Sequence, residues 1–157
     1  MLTKRILLAR PNYFIVEEMK HLLADCGYIP TPIENLNELS RYKTTELGGV
    51  VISTAISSTM KSDYQDVVKA VVERFAGIPV LLATLIDAEV AKKTISLRFK
   101  KAGINYQLHS MESVRVKGFV NSRNEMIVIQ KEDISDESVY DQTLKIVMNY
   151  FQSHKPS

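Results

Sequence analysis

Short apolar runs alternate with amphipathic segments along the first 110 residues. The continuous apolar runs at residues 4–9, 48–53 and 78–84 predict parallel strands, because such strands are buried on both faces. Residues 28–33, which include two prolines, predict an edge strand, and residues 104–108 predict a fifth strand. Four segments between the strands carry apolar residues at three- and four-residue spacing, which predicts helices. This alternation indicates an α/β fold with a parallel sheet and right-handed crossovers.

The pattern changes after residue 110. Residues 115–121 and 125–131 alternate between apolar and polar positions, and residues 122–124 between them suit a tight turn. We therefore expect a β-hairpin over residues 111–132. A last helix, capped by Ser135 or Asp136, is predicted over residues 133–152. The chain 1–157 is expected to form a single domain whose core βα units span residues 2–110.

Composition narrows the class of protein. Hydrophobic residues make up 45% of the 157 residues and charged residues 24%, which excludes a disordered chain or a disulfide-stapled miniprotein. The net charge of +2 gives no reason to expect nucleic acid or an anionic membrane as partner. No apolar run has the length of a membrane span or a signal-peptide core, and Cys26 is the single cysteine. We therefore expect a protein of the reducing cytoplasm with no membrane partner.

Four stretches carry a family resemblance: Lys-Arg-Ile-Leu-Leu-Ala, Gly-Gly-Val-Val-Ile-Ser, Ile-Pro-Val-Leu-Leu-Ala-Thr and Lys-Lys-Ala-Gly-Ile-Asn-Tyr. In order and spacing they resemble the receiver domains of two-component response regulators. The resemblance implies a doubly wound, flavodoxin-like (βα)5 fold with strand order 2-1-3-4-5 and a site outside the carboxyl ends of the strands. The expected fold is this parallel sheet with the C-terminal β-hairpin added before the last helix.

The chain departs from the family at the phosphorylation site. The resemblance implies an acidic pair that holds Mg²⁺ after the first strand, where Arg10 and Pro11 stand, and a phospho-accepting aspartate where Ser53 stands. Mg²⁺ prefers carboxylate oxygens, and a guanidinium repels it. Ser53 has no neighbouring carboxylate base in the sequence pattern. We therefore expect a degenerate receiver, or pseudo-receiver, with no metal, no cofactor and no enzymatic activity.

Two further family positions are mixed. The hydroxyl at the end of the fourth strand is present as Thr84, whereas the lysine after the fifth strand would fall at His109 or Ser110. Arg10, Pro11, Ser53, Thr84 and His109 are therefore either degenerate phosphorylation-site positions or an anion pocket. In the first case Arg10 fills the vacated metal site and bonds to nearby carbonyl groups. In the second case its fork of donors binds phosphate or carboxylate.

Three functions remain open at this point. The first is a signalling or adaptor domain that binds a protein partner or itself without phosphorylation, with a homodimer expected through the hairpin edges. The second is a small-ligand or nucleotide sensor that uses the anion pocket, and the third is a small α/β enzyme. The serine- and threonine-rich residues 53–62 form either a ligand-binding or phosphorylatable loop or a mobile connector. The expected partner face comprises Lys92, Lys93, Arg98, Val116 and Val128.

Overall fold

The structure is a computed structural model that describes residues 4–10, 15–55 and 63–154. Its strands are β1 (Arg5–Ala9), β2 (Ile29–Pro32), β3 (Leu47–Ser53), β4 (Val80–Thr84), β5 (Gln107–Ser110) and β6 (Glu125–Gln130). Its helices are α1 (Val16–Asp25), α2 (Tyr64–Arg74), α3 (Ala88–Ala102), α4 (Met111–Lys117), α5 (Lys131–Ser135) and α6 (Glu137–Gln152). Two 3-10 turns, Leu36–Arg41 and Thr44–Glu46, lie between β2 and β3.

The strands of the described residues form one sheet in the order β2-β1-β3-β4-β6-β5, and every neighbouring pair is parallel. Helices α2 and α3 pack on one face of this sheet, through residues such as Val67, Val71 and Phe99. Helices α1, α4, α5 and α6 pack on the other, through residues such as Leu22 and Val114. Right-handed crossovers account for the placement of α1 to α4, because the chain moves one way across the sheet through α2 and α3 and the other way through α1 and α4.

The centre of the sheet is β3, which is buried along its whole length. Its register with β1 moves from Arg5↔Leu47 to Ile6↔Gly49, so Gly48 is the extra residue of a bulge. A Cβ atom at Gly48 would lie 2.6 Å from Cε1 of Tyr28, and one at Gly49 would lie 2.7 Å from Cε1 of Phe151. The two rings pack edge to face with centroids 5.4 Å apart. The paired glycines therefore make room for aromatic rings against the central strand.

The expected fold is confirmed as a parallel α/β sheet, and the first five strands all form near their predicted positions. The helix predicted between β2 and β3 is a 3-10 turn instead, and β5 begins three residues later than expected. Asp87 caps α3, since its carboxylate accepts hydrogen bonds from the N–H groups of Glu89 and Val90. Within the described ranges, no helix is both long and apolar enough to cross a membrane.

The hairpin predicted over residues 111–132 is wrong. The Oγ atom of Ser110 caps α4 by accepting a hydrogen bond from the N–H of Ser113, and Gly118 ends the helix with a φ of 87°. The second half of the predicted hairpin is β6. This strand lies between β4 and β5 and is parallel to both, rather than folded back on residues 115–121. The strand order is therefore β2-β1-β3-β4-β6-β5 and not the 2-1-3-4-5 that the resemblance implied.

Candidate functional site

Three of the predicted site residues meet at the carboxyl edge of the sheet. Ser53 and Thr84 end β3 and β4, and Arg10 follows β1 directly. The three strands are neighbours and parallel, so their ends lie side by side. All three residues are buried, and Arg10 is only 5% exposed. Pro11, and residues 56–62 of the predicted loop, lie outside the described residues.

Arg10 reaches across the end of the sheet to β3. Its backbone has a φ of 53°, a left-handed conformation that costs a residue with a Cβ atom roughly 1–2 kcal/mol. Its Nη1 atom donates a hydrogen bond of 2.6 Å to the carbonyl oxygen of Ser53. The Oγ atom of Ser53 accepts instead from the N–H of Ala55, at 3.2 Å. Ser53 therefore meets Arg10 through its backbone, as in the interpretation that Arg10 bonds to nearby carbonyl groups.

The guanidinium of Arg10 is only partly satisfied. Its Nε atom is buried and has no hydrogen-bond partner among the described residues. Burial lowers the pKa of Arg10, while the charge of Asp63 and the nearby Tyr64 act in the opposite direction. An arginine side chain remains protonated in proteins, so a positive charge with a vacant donor is fixed at the end of the sheet.

A cleft of about 740 Å³ opens beside Arg10. Tyr64 and Asp63 line it from the start of α2, and Arg98 lines it from α3. The guanidinium carbon of Arg98 lies 5.4 Å from the centre of the Tyr64 ring, which is a cation–π distance. Sequence reasoning placed Arg98 on a partner face and missed Asp63 and Tyr64 as site residues. The signal for them was weak, since only their position at the start of a helix after β3 pointed to the strand ends.

The other wall of the cleft combines hydroxyl and apolar groups. Thr54 and Thr84 contribute hydroxyl groups, and Leu85 and Ile86 contribute apolar surface between β4 and α3. The Oγ1 atom of Thr84 accepts a hydrogen bond of 3.2 Å from the N–H of Ile86. Leu85 and Ile86 are both exposed. The cleft therefore offers a charged end beside Arg10 and an apolar side.

His109 does not join this site, which corrects the expectation that it lines the anion pocket. β5 lies at the edge of the sheet, two strands from β4. Nδ1 of His109 lies 3.0 Å from Oγ of Ser113, and Nε2 lies 2.6 Å from Oε2 of Glu125. Lys117 also bonds to Glu125. These contacts tie α4, β5 and β6 together.

The strand beside β4 is β6 rather than β5. β6 ends at Gln130, which is in register with Thr84, and Lys131 follows. The Oε1 atom of Gln130 accepts a hydrogen bond of 2.7 Å from the N–H of Ala88. Gln130, and not His109 or Ser110, therefore lies beside Thr84 at the carboxyl edge of the sheet.

The predicted partner face is only partly exposed. Val128 is completely buried in β6, so its assignment to a surface is wrong. Lys92 is half-buried and pairs with Glu89 at 3.2 Å, while Lys93 and Arg98 are exposed on α3. Val116 is 87% exposed on α4. Val90 and Leu97 are also exposed on α3.

Comparisons with known proteins place the fold. No protein-family model and no curated protein matches the chain. A response regulator receiver protein from Sinorhizobium medicae WSM419 matches with a TM-score of 0.50 and 13% identity, over 95% of this chain and 97% of that one. The signal receiver domain of an HD domain-containing protein from Pseudomonas fluorescens Pf-5 matches with a TM-score of 0.54 and 11% identity, over 98% and 100%. The chain therefore has a receiver-like fold.

Proposed function

We propose that this chain is a signalling domain that binds a partner protein through its receiver-like fold without aspartyl phosphorylation. The observation that carries the proposal is the hydrogen bond from Arg10 to the carbonyl of Ser53. This contact holds the buried guanidinium of Arg10 at the end of the sheet, where the resemblance implies acidic metal ligands. The proposal includes no catalytic step.

The chemistry of the strand ends supports independence from phosphorylation. A buried guanidinium repels a divalent cation at short range, and the repulsion is larger there than in bulk water. Ser53 presents a hydroxyl rather than a carboxylate, and that hydroxyl accepts a hydrogen bond from Ala55. A phosphoryl acceptor needs activation by a base or a metal ion, and the described strand ends supply a cation and hydroxyl groups instead.

The outer face of α3 is the surface that fits a partner. Val90 and Leu97 are 56% and 64% exposed, and their seven-residue spacing places them on one side of the helix. Lys93 lies between them, and Lys100 and Lys101 follow in the last turn. An apolar centre with a basic rim is complementary to a protein surface with an apolar centre and an acidic rim.

Partner capture tests this proposal. The tagged chain should retain one partner from a native extract equally well with and without Mg²⁺ and acetyl phosphate. Leu97→Glu and Lys93→Glu should each reduce retention at least about tenfold, which corresponds to roughly 1.4 kcal/mol. Ile29→Glu is the matched control, because Ile29 is an exposed apolar residue on β2, at the opposite edge of the sheet from β5.

Two results would contradict the proposal. One is capture that appears only with Mg²⁺ and acetyl phosphate. The other is capture that Leu97→Glu leaves unchanged. Light scattering of the purified chain identifies the case in which the retained partner is a second copy of the chain itself.

A further inference from the structure

We propose that the cleft beside Arg10 binds a small organic phosphate, with the phosphate held by Arg10 and Arg98 and an apolar body lying on Leu85 and Ile86. This binding is independent of the partner-binding function of α3. The cleft, of about 740 Å³, has the size of small-molecule sites in proteins.

Arg10 has a hydrogen-bond donor without a partner among the described residues. Arg10 is 95% buried, since only 5% of its surface is exposed, and its Nε–H has no acceptor among the described residues. Buried polar groups are hydrogen-bonded in the great majority of cases, so a buried donor without a partner calls for an acceptor. Arg10 also lines the cleft. An anion bound there would therefore lie beside a guanidinium whose hydrogen bonding the described residues leave incomplete.

The described lining of the cleft is positively charged. Two guanidinium groups, those of Arg10 and Arg98, line it against the single carboxylate of Asp63. The described lining therefore carries a net positive charge. An anion compensates this charge, and arginine donates to phosphate oxygens in a fixed fork.

Several hydrogen-bond donors line the cleft. The hydroxyl of Thr84 uses its oxygen to accept from the N–H of Ile86, which leaves its hydrogen available. Arg10, Arg98 and Thr84 thus supply donors from three different elements around one space. Donors on three separate parts of one lining suit the three terminal oxygens of a phosphate better than the two coplanar oxygens of a carboxylate.

One side of the cleft is apolar. Leu85 and Ile86 are exposed where they connect β4 to α3, and Ala91 and Ile95 extend the same wall. Inorganic phosphate would leave this surface in water. A phosphate ester with an aromatic or apolar body would cover it, which adds binding energy in proportion to the buried area.

Titration of the full chain with phenyl phosphate and with adenosine monophosphate tests the inference. The readouts are calorimetry and the Nε–H resonance of Arg10 in NMR spectra. At least one of the two esters should bind saturably, move that resonance and bind at least about tenfold more tightly than inorganic phosphate, phenol or adenosine. Arg98→Gln should weaken binding at least about tenfold, because Arg98 is exposed and its replacement leaves the core intact.

Two controls keep the test separate from the partner-binding function. Arg123→Gln removes an exposed arginine outside the cleft and should leave ester binding unchanged. Leu97→Glu, which is expected to abolish partner capture, should also leave ester binding unchanged. The inference is overturned if neither ester binds at about 10 mM, if Arg98→Gln binds as tightly as the wild type, or if inorganic phosphate binds as well as the esters.

Discussion

The hydroxyl of Tyr150 links two strands from inside the core. It accepts a hydrogen bond of 3.0 Å from the N–H of Val80 in β4 and donates one of 2.8 Å to the carbonyl of Glu125 in β6. Burial raises the pKa of Tyr150, so the phenol remains protonated and able to donate. One side chain of α6 thus satisfies the start of β4 and the start of β6 together.

Tyr150→Phe is therefore expected to lower the free energy of unfolding by about 1–3 kcal/mol, because two buried backbone groups lose a partner while the packing of the ring is kept. Urea denaturation measures the change. Tyr140→Phe is the matched control, since the hydroxyl of Tyr140 bonds to Asp25 at the surface. It should change stability by no more than about 0.5 kcal/mol. Equal losses in the two variants would contradict the assigned role of Tyr150.

Glu125 is a buried carboxylate held by several donors. Burial alone would raise the pKa of Glu125, but hydrogen bonds from Lys117, from the N–H of Asn121 and from His109 outweigh it and leave the pKa lowered. A group with a lowered pKa in the folded state adds stability above its unfolded pKa, about 4.3 for glutamate. That stability is lost as the pH falls through the folded pKa.

Glu125→Gln should reduce the free energy of unfolding at pH 7 by about 1.5–3 kcal/mol, because charge-assisted hydrogen bonds are lost. The free energy of unfolding of this variant should also fall less steeply between about pH 5 and pH 3, because glutamate titrates in this range. Denaturation curves across this range provide the measurement. Glu112→Gln, at an exposed position of α4, is the control. A fall as steep in Glu125→Gln as in the wild type would refute this assignment.

At the scale of single elements, α4 shows why a short pattern can mislead. Val114, Val116 and Gly118 share a phase in an alternating strand, but in a helix Val114 faces inward and Val116 faces outward. Met111 and Val114, three residues apart, are the buried pair that marks the helix. Ser110 as a cap and Gly118 as a stop were also present in the sequence. Seven residues contain too few turns for the helical period to stand out from alternation.

Paired substitutions in α4 distinguish the helix from the predicted hairpin. Val114→Asp should destabilise the protein by about 3 kcal/mol or more, because it places a carboxylate in the core. Val116→Asp should change stability by no more than about 0.5 kcal/mol, because Val116 is in solvent. Thermal unfolding compares the two variants. Similar effects at both positions would favour alternation and a strand.

At the scale of the molecule, the sequence predicts the strands better than their order. Apolar runs covered on both faces identify β1, β3 and β4, and the adjacency of Arg10, Ser53 and Thr84 follows from parallel pairing. The insertion of β6 between β4 and β5 has no local signal, because it depends on the direction of two crossovers. The inclusion of Asp63 and Arg98 in the cleft likewise depends on how α2 and α3 pack.

The observed order predicts a gradient of amide hydrogen exchange. β6 is hydrogen-bonded on both sides, whereas β5 has β6 as its single partner in the described sheet. The slowest amides of β6, expected at Ile127 and Val128, should exchange only with global unfolding. The slowest amides of β5 should exchange at least about tenfold faster, since an edge strand opens locally. Protection in β5 equal to that in β6 would contradict the order, and NMR-detected exchange resolves the two strands.

The inner position of β6 also separates the order of synthesis from the order in space. As the chain leaves the ribosome, β2, β3 and β4 can each pair with a strand that already exists, but β5 emerges before its single described neighbour. Until residues 125–130 follow, the sheet ends at β4. During that time β5 follows α3 without a strand to pair with, and its edges are exposed. Nascent chains of this protein therefore pass through a stage in which β4 exposes the edge that β6 later covers and β5 has no paired strand. Contact with a chaperone or with another incompletely folded chain matters most at this stage.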